Sequence, residues 1–200
     1  MVSPTLRVNM RFALVGLLMV ASFSGARAQA PVWKRTAQND PLHKVAFDEW
    51  RLEGKFLVTP RQLTLSMPLL VVHCTGGKFM DGQIDVGTVL NTVVIKQTTL
   101  LGGTTFPTVI PVEFRLDDRK LQTDNWSPST DGTAAFFSGM VLANLLYGHI
   151  LMHKAGKGDQ VHQVTLGMSE YLAGQVQMQF EMPDATEIGY ACGVTYQPKR

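Results

Sequence analysis

Hydrophobic positions along this chain recur mainly at every second residue, the spacing of strands that bury one face. The strictest case is residues 174–182 (GQVQMQFEM), where Val176, Met178, Phe180 and Met182 alternate with glutamines and Glu181. Residues 62–67 (QLTLSM) set Leu63, Leu65 and Met67 against Thr64 and Ser66. Short apolar runs at 55–59 (KFLVT) and 69–74 (LLVVHC) predict two more strands, punctuated by Pro60 and Pro68 and closed by Thr75-Gly76-Gly77. Strands are also expected at 83–86 and 89–97 (VLNTVVIKQ), parted by Gly87-Thr88, and at 109–116 (VIPVEFRL). Asp117-Asp118 suits a turn leading to a return strand at 120–126 (KLQTDNW) and a loop at 127–132.

Residues 133–137 read as a strand, and 149–154 with 160–166 as a hairpin around Ala155-Gly156-Lys157-Gly158. Residues 45–52 (VAFDEWRL) fit a strand or a short helix equally well. The period changes at 140–147 (MVLANLLY), where Val141, Leu142, Leu145 and Leu146 form a helical stripe that Gly148 stops. A second short helix is expected after Pro183, with Asp184 and Glu187 spaced as a capping box and Ile188, Ala191 and Cys192 on one side. Regular crossover helices, which parallel sheets need, are missing from the pattern. The predicted fold class is therefore mainly β: an antiparallel sandwich or open barrel-like domain with one or two short helices.

The first residues change the compartment. Arg7 and Arg11 precede the uncharged run 12–21 (FALVGLLMVA), small and polar residues follow, and Ala26-Arg27-Ala28 offers a small-x-small cleavage site. That layout predicts a signal peptide over 1–28 and one β-rich domain over 29–200. The run is too short to span a bilayer, which needs about 20 apolar residues. No stable membrane anchor is expected after cleavage, and the location is periplasmic or secreted, in a bacterium. Loss of Arg7, Arg11 and Arg27 leaves 15 basic against 16 acidic side chains, a net charge near −1. This removes the electrostatic case for nucleic acid.

Two cysteines remain, Cys74 and Cys192. In an oxidising compartment an isolated pair forms a disulfide, here fastening the terminal helix to the strand that ends at Cys74. The alternative, a Cys74 nucleophile with His73 as base, is disfavoured because adjacent strand residues face opposite ways.

Four features occur in order: Leu69-Leu70-Val71-Val72-His73-Cys74, Val112-Glu113-Phe114-Arg115-Leu116-Asp117, Asn125-Trp126-Ser127, and a short terminal helix holding Cys192. Together they resemble the periplasmic accessory proteins of type VI secretion, the TagO/VasI-like group, over residues 63–193. The resemblance implies an accessory role in the envelope without known enzymatic activity.

The remaining chemistry is sparse. His149 and His153, with His73 or His162, are the only combination that suggests a metal carrier, and no carboxylate or thiol stands at ligand spacing nearby. Asp81, Asp85, Asp117, Asp118, Asp124 and Asp131 cluster near turns without the spacing of a calcium loop. Two of them would have to face each other to make a secreted hydrolase. No cofactor motif is present. The expected activity is non-catalytic binding of another envelope protein or an envelope polymer, with Arg115, Asp117 and Trp126 as the recognition patch.

Overall fold

The computed structural model describes residues 30–40, 45–58, 65, 67–98, 103–148, 160–170 and 174–194. The strands are β1 (Lys34–Asp40), β2 (Val45–Glu53), β3 (Lys55–Val58), β4 (Leu69–Thr75), β5 (Lys78–Asp85), β6 (Val93–Val94), β7 (Gln97–Thr98), β8 (Thr104–Thr105), β9 (Thr108–Leu116), β10 (Gln122–Pro128), β11 (Ala134–Phe137), β12 (Gln163–Glu170) and β13 (Gly174–Glu181). Two short helices, α1 (Gly139–Tyr147) and α2 (Thr186–Ala191), complete it. The main sheet runs β1-β2-β4-β5-β11-β10-β9-β12-β13-β3 without closing on itself, and β6 is added beside β9. Every pairing is antiparallel. The expected fold class, mainly antiparallel β with two short helices, is what forms.

Two places turn this ribbon into two half-sheets over one core. Residues 122–126 of β10 pair with β9, and Ser127 and Pro128 pair with β11. The run β2–β3 does the same through Gly54: β2 lies between β1 and β4, while β3 pairs with β13. Gly54 N–H donates to Pro68 O at 2.9 Å. A Cβ at Gly54 would stand 2.7 Å from the Phe180 ring and 2.8 Å from Gln179 O, so only glycine lets the strand turn so close to β13.

The inward positions are those the alternation picks out. Leu70, Val72 and Ile84 meet Ile110, Val112, Leu116, Leu166, Met178 and Phe180, and Leu142, Leu145 and Leu146 of α1 join the same cluster. Full burial of each such side chain stabilises by about 1.5–3 kcal/mol. Ser138 caps α1 by accepting the Val141 N–H, and Gly148 at φ 63° ends it. Arg119 Nη1 then donates to Gly148 O at 3.0 Å, placing a cation at the negative end of the helix. Cys74 and Cys192 are disulfide-bonded, their Cα atoms 5.0 Å apart across a separation of 118 residues.

Several expectations change. The ambiguous segment 45–52 is strand β2. The strand expected at 83–86 begins earlier, at Lys78, because Gly76 and Gly77 adopt positive φ and fold β4 back onto β5. The strand expected at 89–97 is broken into β6 and β7, since Val86 and Leu90 are drawn inward by hydrogen bonds to Thr133 O and Gly132 O. Asp184 accepts from the N–H and hydroxyl of Thr186, and the cap position of α2 is Ala185, so the capping box with Glu187 does not form. Most of the expected strand at 62–67 and the expected arm at 149–154 lie outside the described residues.

Candidate binding surface

The sheet separates the three residues expected to form one patch. Arg115 points outward from β9 between buried Phe114 and Leu116. Trp126 pairs with Ile110 and faces the core, where it is 2% exposed, with its ring 5.2 Å from Phe137. Its indole N–H donates to Asp124 Oδ2 at 3.1 Å. Asp117, at φ 48°, follows β9, and its Oδ1 accepts the backbone N–H groups of His162 at 2.9 Å and Gln163 at 2.8 Å. Asp117 thus fastens the end of β9 to the start of β12, and Arg115 and Trp126 occupy opposite faces.

What surrounds Arg115 is set by register. Thr123 of β10, Glu113 of β9, Gly167 of β12 and Gln177 of β13 stand in one row across the strands. Arg115, Thr165 and Gln179 form the next row, and Ser169 pairs with Gln175. Every outward residue here is a hydroxyl, an amide or a charged group, except Pro111 and Gly167. Because Gly167 carries no side chain, a furrow of about 110 Å³ opens over it, bounded by Pro111, Glu113, Ser169, Gln175 and Gln177. A second hollow of about 160 Å³ lies on the other side of Glu113, toward Thr123 and Asn125. The three glutamines each offer two donors and an acceptor. The sequence displayed their alternation but not that a glycine on the neighbouring strand would leave them a trough.

The other half-sheet carries a second polar row. Glu49, His73 and Asp81 are register partners on β2, β4 and β5. His73 Nδ1 lies 2.6 Å from Asp81 Oδ1, its Nε2 lies 3.2 Å from Glu49 Oε2, and Arg51 Nε donates to Glu49 Oε1 at 2.7 Å. The Phe47 ring meets the imidazole edge-on at 5.2 Å. The hydrogen bond to Asp81 raises the His73 pKa; burial opposes this, and Glu49 adds to it. The two carboxylates meet different ring nitrogens, so they hold the imidazole from two sides and do not converge on one point.

The turn aspartates hold their own neighbourhoods. Asp85 accepts the Gly87 N–H, and burial raises its pKa. Asp131 accepts from the Ser129 hydroxyl and the Thr133 N–H. Asp124 pairs with Val112 and turns away from Glu113 toward Trp126. Among the described residues no group of three or more His, Cys, Asp or Glu side chains converges as a metal site; His149 and His153 lie outside them. Nor is any helix among them long and apolar enough to cross a membrane. No family model matches this chain, and no curated protein or solved structure matches it either.

Proposed function

We propose that this chain is an exported, non-catalytic accessory protein of the bacterial envelope, and that it binds an extended polar polymer along the outer face of β9, β12 and β13. The signal layout of residues 1–28 supports export. The Cys74–Cys192 disulfide fits the oxidising compartment that export would reach.

The observation that carries the binding reading is the furrow over Gly167, walled by Glu113, Gln175 and Gln177, with Gln179 continuing the same ladder in the next row. A chain of amino sugars presents hydroxyl and amide groups at regular intervals, and amide side chains two residues apart repeat every 6–7 Å along a strand. Each hydrogen bond would add a modest net gain, about 0.5–1.5 kcal/mol, so affinity would grow with the length of polymer engaged. Arg115 and Thr165 extend the face in the next row. The groups on it donate and accept hydrogen bonds, and the carboxylate of Glu113 faces Gly167 and Thr123 and no partner acid across the furrow.

The test is sedimentation with insoluble cell-wall sacculi. The wild-type protein should pellet with them, and Gly167→Gln, which fills the trough, should stay in the supernatant while keeping its circular dichroism. A wild type that does not pellet, or a filled variant that pellets equally, would overturn the reading.

A further inference from the structure

From Val86 to Val112 the chain contains no acidic residue and one basic residue, Lys96, although Asp85 and Glu113 flank the segment. Within it, residues 93–98 and 104–109 build a two-stranded ribbon that continues the edge of β9. Val93 pairs with Val109 and Val94 with Thr108; Ile95 N–H donates to Pro107 O at 3.1 Å; Gln97 pairs with Thr105 and Thr98 with Thr104. β7 and β8 pair only with each other. Such a ribbon is marginal in water unless something packs on it. Three of its apolar side chains are nevertheless outside: Val94 is 65% exposed, Phe106 64% and Val93 37%. Counting by two from the Val94–Thr108 pair places Lys96 and Phe106 on the same side as Val94.

We infer that this ribbon is a docking arm for an anionic lipid surface, which takes Val94 and Phe106 below its headgroups while Lys96 pairs with a phosphate. The charge pattern decides the occupant. Lipid headgroups repel carboxylates, and among the described residues of the ribbon, 93–98 and 103–108, Lys96 is the one charged side chain. An aromatic and a branched aliphatic side chain beside one lysine match the apolar and cationic layers of a membrane interface. Thr104, Thr105 and Thr108 add exposed hydroxyl positions beside them. The contact is peripheral and reversible, and it does not depend on the polymer reading, since the arm and the Gly167 furrow use different residues.

The experiment uses the exported form recovered after expression of the full chain, with its N-terminus read by mass spectrometry. It is centrifuged with vesicles of phosphatidylcholine alone or mixed with phosphatidylglycerol, at about 1 mM lipid. Binding should require phosphatidylglycerol and weaken with salt. Val94→Ser/Phe106→Ser should lower the partition coefficient at least about tenfold, and Lys96→Glu about fivefold. Phe106→Trp, which restores an aromatic, should bind like wild type and shift its fluorescence to the blue on anionic vesicles. These side chains are exposed, so unchanged circular dichroism is expected for every variant. Absence of wild-type binding, or equal binding by the double variant, overturns the proposal. So does self-association that the double variant abolishes while vesicles bind nothing, because the arm would then be a protein contact.

Discussion

His73 Nδ1 lies 2.6 Å from Asp81 Oδ1 on the neighbouring strand, one residue before the disulfide that holds α2 to β4. The folded protein therefore holds the imidazole proton more tightly than the unfolded chain does, with Asp81 as the main cause. A raised folded pKa contributes stability that is complete below the unfolded value of 6.5 and is lost as pH rises through the folded value. Unfolding free energy should therefore decline from pH 6.5 upward, and His73→Gln should flatten that decline while lowering stability on the acidic side. Urea titrations of both proteins across the range measure it. Equal slopes for the two would remove His73 as the cause.

The disulfide closes a loop of well over a hundred residues between Cys74 and Cys192. In the chain-entropy account, Cys192→Ser should destabilise by roughly 4–5 kcal/mol, and Cys74→Ser by a similar amount. Denaturant unfolding of the two single variants beside the reduced wild type gives the comparison. Strongly unequal losses would mean that one sulfur contributes packing beyond the bond.

Gly193 has φ +66°, and a Cβ there would stand 2.2 Å from Gly77 O. Gly193→Ala therefore carries both the left-handed backbone cost, roughly 1–2 kcal/mol, and a clash with the β4–β5 turn. Gly167→Ala is the counterpart. Its Cβ would meet Glu113 atoms at 3.8–3.9 Å, ordinary contact, and stability should hold or rise by up to about 1 kcal/mol. The melting temperature should fall for Gly193→Ala and stay level or rise for Gly167→Ala.

Trp126 and Arg115 should separate stability from binding. Trp126→Ala removes a core indole and should cost about 3–5 kcal/mol. Arg115→Ala, at an exposed strand position, should change stability by less than about 0.5 kcal/mol yet weaken sedimentation with sacculi. Stability loss in Arg115→Ala without any change in sedimentation would remove it from the proposed surface.

Much of the architecture was legible in the chain. The alternation at 174–182 marks Val176, Met178 and Phe180 as inward, and the stripe at 140–147 names the four apolar residues that α1 buries. The oxidising context pointed to the Cys74–Cys192 pair, which is joined. The patch was harder because it depends on which strands are neighbours. Trp126 stands next to a loop in sequence, but its pairing with Ile110 turns it inward. The furrow needs Gly167 of β12 beside Glu113 of β9, about fifty residues apart, and local periodicity carries no information about that pairing. The broken strand at 89–97 has the same origin: Val and Leu favour a strand, but Val86 and Leu90 are held by the loop before β11.

The bend at Gly54 sends one continuous run of chain from β4's neighbourhood to β13, so a strand made early must wait for one made late. The Cys74–Cys192 bond imposes the same delay. Both closures join positions far apart in sequence, so the native setting of β3 and β4 is complete only once the last strand and the terminal helix are there to meet them.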